Sequence, residues 1–141
     1  MRLPTIAGIA LIAACIGALA YLRDPPWLID QASGLRPWQQ EQGIRYRWSG
    51  AHASFFVPSG ARQIRIPVAT TFDGRGAEPM VVTFFLDGRK AASVLLTDDR
   101  WTTVTLDMPT PGSRRVRRVD LRTSVTREDN HGVRLGEPTA R

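Results

Sequence analysis

Apolar and polar residues alternate along most of the chain after residue 43. About eight short segments of this kind follow one another, with turn residues every ~8–12 positions, and alternation of this period is typical of strands with one buried face. They are residues 44–48, 51–57, 63–70, 81–86, 91–96, 101–106, 116–125 and 133–137. The pattern predicts an all-β fold, a two-sheet sandwich of jelly-roll or Greek-key type, with no helix after the N-terminal segment.

Glycine and proline positions refine this prediction. Asp87-Gly88 lies between two apolar segments, which is a strong hairpin signal. Pro67 interrupts the third segment and predicts an edge strand or a bulge, because proline cannot donate to a central ladder. Residues 72–79 and 109–112 contain several glycines and prolines and are expected to be a loop and a turn.

The first residues have a different pattern. Residues 3–22 contain no charged side chain, and a helix of that length rises about 30 Å, the thickness of the hydrocarbon core of a bilayer. Three fates stay open: a retained signal anchor, a signal peptide cleaved near residues 18–20, or a lipoprotein signal with Cys15 as the lipidated residue. The length favours the anchor, and with it a single-pass protein of a bacterial inner membrane whose domain faces the periplasm or the cell exterior.

These patterns divide the chain into three parts. Residues 1–23 are the signal anchor or signal peptide, residues 24–42 a juxtamembrane connector, and residues 43–141 the sandwich domain. Pro25 and Pro26 are expected to end the first helix, with at most one helical turn around residues 28–32. Trp27 lies where indole rings favour the headgroup level of a bilayer.

Charge and cysteine content narrow the range of functions. The net charge is +6, and all basic residues except Lys90 are arginines. Acidic residues are spread among them, so the sequence does not predict a nucleic-acid binder, whose basic residues cluster on one face. Cys15 is the sole cysteine, which excludes an intramolecular disulfide and a cysteine-based zinc site.

Aromatic residues and arginines supply the candidate binding residues. Tyr46, Trp48 and Trp101 alternate with polar neighbours, so they either stack on sugar rings at the surface or fill the space between the sheets. Arg115 and Arg117 belong to the densest basic segment, residues 114–118. That segment is either a solvated rim or a surface whose guanidinium groups bind a phosphate-bearing lipid or an anionic glycan.

Signals for catalysis or for a metal are weak. The two histidines, His52 and His131, lie in separate segments, and no nucleophile motif accompanies them. Asp98, Asp99 and Asp129 are weak calcium candidates in loops, where the same residue types also form ordinary turns. The sequence therefore predicts a protein that is not an enzyme and needs no cofactor.

The order of several short motifs resembles a known type of domain. The motifs are Tyr46-Arg47-Trp48-Ser49, Phe85-Leu86-Asp87-Gly88-Arg89, Asp99-Arg100-Trp101 and the closing Leu135-Gly136-Glu137. Over residues 43–138 the chain resembles the extracytoplasmic C-terminal β-sandwich of bacterial dolichol-phosphate-mannose-type membrane glycosyltransferases, which is similar in shape to carbohydrate-binding jelly rolls. The multi-span catalytic body is absent from this chain, so the resemblance implies no catalytic residue.

Two functional hypotheses follow from these observations. The first is a non-catalytic, membrane-anchored sandwich that binds envelope carbohydrate or lipid-linked sugar, or that assists a membrane glycosyltransferase. The second is a scaffold or assembly protein that engages a protein partner through a sheet edge, for which the strand containing Pro67 is the candidate. Across the two hypotheses, the expected partners of the protein are the bilayer, through residues 3–22, and a glycan, a lipid-linked sugar or a membrane protein.

Overall fold

A computed structural model describes residues 3–72, 78–110 and 114–141 of the chain. Its first element is helix α1, Leu3–Arg23, whose described side chains are almost all exposed. Within the described residues, α1 is the one helix long and apolar enough to cross a bilayer, a test that an N-terminal signal sequence also passes. Two short 3-10 helices, Pro26–Asp30 and Glu128–Asn130, complete the helical structure of this part of the chain.

The rest of the fold is built from antiparallel strands. Ten are described: β1 Ala32–Leu35, β2 Gln39–Glu41, β3 Ile44–Pro58, β4 Gln63–Ala69, β5 Met80–Leu86, β6 Arg89–Leu96, β7 Thr102–Asp107, β8 Val116–Thr123, β9 Arg134–Gly136 and β10 Thr139–Ala140. This confirms the predicted all-β class with one N-terminal apolar helix.

The strands form two sheets that share β3. In sheet I the order is β1-β3-β8-β5-β6, and in sheet II it is β2-β3-β9-β4-β7, with β10 beside β4. The first part of β3 (residues 44–48) pairs with β2 and β9, and its last part (52–58) pairs with β1 and β8. A long strand that passes from one sheet to the other joins the two layers of the sandwich.

The core lies between the two sheets. It consists of alternate apolar side chains from both sheets, and the largest fully buried ones include Phe84, Ile64, Ile66 and Leu121. The period-two pattern of the sequence places these side chains on the inner faces. The alternation that predicted the strands therefore also builds the core.

The Asp87-Gly88 hairpin is confirmed. Leu86 pairs with Arg89, so only Asp87 and Gly88 form the turn, and both have positive φ, 48° and 82°. This is the backbone of a type I′ turn, whose twist matches that of the flanking strands. The expected loop at 72–79 and turn at 109–112 lie partly outside the described residues.

Three strand predictions were wrong. Strand pairing begins at Ala32 rather than at residue 43. The sequence pattern does not reveal β1 and β2, because they are short, largely exposed strands without apolar alternation. Residues 44–48 and 51–57 form the single strand β3, which changes sheets at Ser49 and Gly50. The strand containing Pro67, β4, is interior rather than an edge.

The position of Pro67 explains why it is tolerated there. On one side, β4 pairs with β7 along its length. On the other side, β10 pairs with Ile64 and Arg65 while β9 pairs with Val68 and Ala69, so Pro67 falls between the two partners. A proline costs little where the ladder is already interrupted. This strand is therefore not the free edge that the scaffold hypothesis requires.

Candidate functional site

The first part of β3 presents its aromatic residues to the outside of the sandwich. Arg47 pairs in register with Leu135, and Leu135 belongs to the core, so Arg45 and Arg47 share the inner side of sheet II. Tyr46 and Trp48 alternate with them and therefore lie on the outer side. On that side Tyr46 is buried, with 7% of its surface exposed, and Trp48 is half-buried.

Trp101, which directly precedes β7, joins the two aromatic residues of β3. The ring centroids of Tyr46 and Trp48 are 6.3 Å apart, and those of Tyr46 and Trp101 are 6.0 Å apart. Both pairs have edge-to-face geometry, which aromatic rings prefer. The structure thus brings together the three candidate aromatic residues, which are distant in sequence.

Arg134 of β9 occupies the centre of this aromatic cluster. The carbon of its guanidinium lies 5.7 Å from the ring centroid of Tyr46, 5.8 Å from that of Trp48 and 5.3 Å from that of Trp101. Its side chain is 15% exposed and makes a loose ion pair of 3.9 Å with Glu41. Cation–π attraction is stronger at such a partly desolvated site than in water. Arg134 therefore holds the three rings in place.

Sequence reasoning missed Arg134. Its Val-Arg-Leu context predicts only an outward-facing strand residue. The signal that could have found it is a pair of outward residues on neighbouring strands. An arginine directly opposite a tryptophan is well placed for a cation–π contact. That signal requires knowing that Arg134 and Trp48 are register partners, which the structure provides.

His131 extends the cluster. Its imidazole stacks on the indole of Trp48, with ring centroids 4.7 Å apart and an interplanar angle of 23°.

A set of hydrogen bonds to Ser49 positions the segment that carries His131. The amides of Gly132 and Val133 donate to the carbonyl and hydroxyl oxygens of Ser49, at 2.7 Å and 2.9 Å. The Ser49 amide in turn donates to the Val133 carbonyl at 2.8 Å. We call this arrangement the Ser49 clamp.

A groove of about 300 Å³ opens beside Trp101. It is lined by Glu41, Gln42, Ile44, Tyr46, Asp99, Arg100, Trp101 and Arg134, and we call it the Trp101 groove. An indole ring next to carboxylate, amide and guanidinium groups offers both an apolar surface and hydrogen-bonding partners. Such a mixture is typical of small-molecule sites, in which a few polar groups fix the orientation of the ligand.

Tyr46 contributes a neutral hydroxyl to the wall of the groove. It donates a hydrogen bond of 3.2 Å to a carboxylate oxygen of Glu41. Burial, and then the neighbouring Glu41 carboxylate, raise the pKa of the Tyr46 phenol, because both disfavour a phenolate. Tyr46 therefore stays protonated at neutral pH and orients Glu41.

The structure places Arg115 and Arg117 away from this groove. The Arg117 guanidinium pairs with Asp87 at 2.9 Å and donates to the Thr110 carbonyl at 3.1 Å, so it ties β8 to the hairpin turn. The Arg115 amide donates to the carboxylate of Asp24, just after α1. These two arginines and the aromatic residues are not parts of one site.

The weak calcium and lipidation candidates gain no support from their surroundings. In the described ranges, no three His, Cys, Asp or Glu side chains are grouped so as to hold a metal ion. Asp98 caps its own turn by accepting a hydrogen bond of 3.0 Å from the Arg100 amide, and Asp99 lines the Trp101 groove. Asp129 has a positive φ of 57° within a turn, and Cys15 is exposed on α1. The calcium and lipidation assignments remain predictions.

Comparison with known proteins places the fold. No family model and no curated protein matches the sequence. Among solved structures, the chain is similar to a sugar-binding protein, the EclA C-terminal domain, with 14% identity, a TM-score of 0.52 and coverage of 86% of this chain and 95% of that domain.

Two larger proteins contain a similar unit. One is a family two carbohydrate esterase from Clostridium thermocellum, solved in complex with cellohexaose (10% identity, TM-score 0.51, 79% of this chain and 31% of the esterase). The other is the salicylyl-acyltransferase SsfX3 of a tetracycline biosynthetic pathway (15% identity, TM-score 0.51, 79% and 36%). The chain thus spans about a third of the length of each.

At these identities the fold is what the proteins share. The chain has a β-sandwich fold similar to that of these proteins, with an N-terminal apolar helix. These comparisons give no evidence for the origin in dolichol-phosphate-mannose-type glycosyltransferases that the sequence resemblance implies.

Proposed function

We propose that this protein is a non-catalytic carbohydrate-binding module that binds its sugar in the Trp101 groove. The observation that carries the proposal is the convergence of Tyr46, Trp48 and Trp101 around Arg134, on the outer side of sheet II. The similarity to a sugar-binding domain over 86% of the chain supports it at the level of the fold.

The chemistry of the groove suits a sugar ring. A pyranose has an apolar face of C–H groups, which packs on an aromatic ring, and a rim of hydroxyl groups that both donate and accept hydrogen bonds. Trp101 supplies the aromatic surface, while Glu41 and Arg100 supply acceptors and donors at its edges. The side chains are held in advance by Arg134 and by the Tyr46–Glu41 hydrogen bond, which lowers the entropic cost of binding.

The absence of catalysis is part of this proposal. Among the described groove residues, Glu41 already accepts a hydrogen bond from Tyr46 and pairs with Arg134. Outside the groove, His131 is stacked on Trp48, and His52 is exposed on β3 without a resolved catalytic partner. These groups have structural contacts rather than the geometry of a nucleophile and its base.

The location of the module is also proposed. We infer that residues 1–23 form a signal anchor in the bacterial inner membrane and that the module faces the periplasm, where envelope glycans and lipid-linked sugars are found. The exposed apolar surface of α1 supports an anchor. A module held there is placed to assist a membrane glycosyltransferase. Retention of the chain in the membrane pellet after alkaline carbonate extraction tests the anchor, and release into the supernatant contradicts it.

The binding proposal is tested with the full chain in detergent micelles. A glycan array that includes bacterial envelope sugars identifies a ligand, and calorimetric titration then measures its affinity. Trp101→Ala removes the aromatic surface. Stacking of a nucleobase on such a ring is worth about 1–3 kcal/mol, and with a similar contribution for a sugar ring the affinity should fall roughly fivefold or more. Trp27→Ala, at an exposed indole outside the groove, is the matched control and should bind like the wild type.

Two results would reject the proposal. One is the absence of binding to every glycan and polyprenyl-phosphate sugar on the array. The other is a Trp101→Ala variant that is folded and retains full affinity.

A further inference from the structure

A second concave surface lies on the opposite side of β3 from the Trp101 groove. Arg45 and Arg47 alternate with Tyr46 and Trp48, so they point to the inner side of sheet II. There they meet Trp38, which precedes β2. The carbon of each guanidinium lies close to the Trp38 ring centroid, at 4.6 Å for Arg45 and 4.5 Å for Arg47.

These three side chains line a cleft of about 400 Å³, which we call the Trp38 cleft. Core residues, among them Phe55 and Ile64, contribute to its lining. Two acidic residues, Asp30 and Glu137, also line it. This volume is within the range of small-molecule sites, about 300–1,000 Å³.

The two arginines are incompletely neutralised by the protein. Arg45 has one loose ion pair, 3.8 Å from Glu137, and the side chains of Arg45 and Glu137 are 53% and 61% exposed. Across the described ranges, no ion pair is formed by Arg47, whose contact is the cation–π contact with Trp38. Burial, and then the like charge of Arg45, lower the pKa of the Arg47 guanidinium. Two like charges are thus held together beside an aromatic ring.

We propose that the Trp38 cleft binds a small organic anion, with its carboxylate or phosphate group on Arg45 and Arg47, whose guanidinium groups lie over the Trp38 ring. Guanidinium groups form charge-assisted, often bidentate hydrogen bonds with both kinds of oxyanion. Asp30 and Glu137 limit the negative charge that the cleft accepts, which favours a ligand with a single oxyanion group. The site is distinct from the Trp101 groove and does not depend on it.

Three sugars with the same pyranose ring serve as probes in titrations of the full chain in a nonionic detergent. Glucuronate carries a carboxylate, glucose 6-phosphate carries a phosphate, and glucose carries no charge. We expect at least one of the anionic sugars to bind roughly tenfold more tightly than glucose, with an affinity that falls as salt is added. Preference for glucuronate identifies a carboxylate ligand, and preference for glucose 6-phosphate identifies a phosphate ligand. Equal binding of all three sugars, or binding of none, overturns the proposal.

Variants locate the binding. Arg47→Gln removes the least compensated charge and should weaken binding of the anion about tenfold or more. Arg45→Gln changes an exposed side chain, so it tests the same point if Arg47→Gln unfolds the domain. Arg122→Gln is the matched control, because the Arg122 guanidinium also lies over an aromatic ring, 5.0 Å from Phe85, but outside the cleft.

Trp101→Ala separates this proposal from the preceding one. It should weaken binding of the neutral glycan and leave binding of the anion unchanged. Anion binding that survives both Arg45→Gln and Arg47→Gln, or that is lost with Trp101→Ala, excludes the Trp38 cleft as the site.

Discussion

Substitution of Gly132 by alanine tests how the backbone positions the candidate site. Gly132 lies between His131, which stacks on Trp48, and the strand that carries Arg134. A Cβ atom at position 132 would meet the carbonyl oxygen of Gly50 and would lie 2.7 Å from the hydroxyl oxygen of Ser49. Both are parts of β3, which is paired on both sides and has little freedom to move.

The expected cost follows from these contacts. Overpacking against a fixed backbone costs about 1–3 kcal/mol. Displacing the Ser49 hydroxyl also weakens its buried hydrogen bond from the Val133 amide, which adds about 1 kcal/mol. Together these effects should lower the free energy of unfolding by about 3 kcal/mol. At about 4 °C per kcal/mol for a domain of this size, Tm should fall by about 12 °C.

The assay is thermal and urea unfolding of the full chain in detergent, followed by tryptophan fluorescence and near-UV circular dichroism. Gly60→Ala is the matched control, because a Cβ at Gly60 meets nothing within 4 Å, and its stability should stay within about 0.5 kcal/mol of the wild type. If Gly132→Ala is as stable as Gly60→Ala, the close approach of Gly132 to β3 is refuted. So is the inference that the Ser49 clamp positions His131 and Arg134.

Three further predictions concern pH, the core and the basic segment. Because the pKa of Tyr46 is raised, its contribution to stability is complete below the pKa of an unfolded tyrosine, about 10, and is lost as the pH rises through the pKa of the folded state. The tyrosinate absorbance of the wild type minus that of Tyr46→Phe should therefore have a midpoint above pH 10.0. A midpoint at or below 10.0 contradicts this prediction. Phe84→Ala should lower the free energy of unfolding, measured by urea denaturation, by about 3–5 kcal/mol, because Phe84 is 0% exposed. Leu95→Ala, at 56% exposure, should lower it by less than about 1 kcal/mol. Similar losses for the two variants would contradict the assignment of the core. Arg117→Ala should lower the free energy of unfolding by only about 1 kcal/mol in the same assay, because solvent around the partly exposed Asp87 weakens the ion pair. It should leave glycan binding unchanged. Reduced binding would show that the basic segment belongs to the sugar site.

The two candidate sites share one structural origin. The first part of β3 carries an aromatic residue or an arginine at each of four successive positions, 45 to 48, and it is paired on both sides. Because successive side chains of a strand point to opposite faces, Tyr46 and Trp48 line the outer surface while Arg45 and Arg47 line the inner cleft. One strand therefore supplies two chemically different surfaces, an aromatic one around Arg134 and a cationic one around Trp38.

The candidate site could be predicted from sequence only in part. Tyr46, Trp48 and Trp101 were singled out by residue type, since large aromatic residues beside polar neighbours are typical of sugar-binding surfaces as well as of cores. Arg115 and Arg117 were singled out by local charge density, but the guanidinium of Arg117 pairs with Asp87, and Arg115 contacts Asp24 through its backbone amide. Local density does not show which carboxylates the fold brings near, so it could not separate a structural arginine from a binding one.

The sequence by itself determined the β class and the buried positions through period-two alternation, and the hairpin through its Asp87-Gly88 turn. Burial of one strand face and the backbone of a two-residue turn are local requirements. Only the tertiary structure decided that residues 44–58 are one strand shared by two sheets and that weak strands at Ala32–Leu35 and Gln39–Glu41 complete the sheet edges. It also decided that Arg134, remote in sequence, lies among Tyr46, Trp48 and Trp101. Strand register sets these contacts, and register results from pairing between distant segments, which no local pattern specifies.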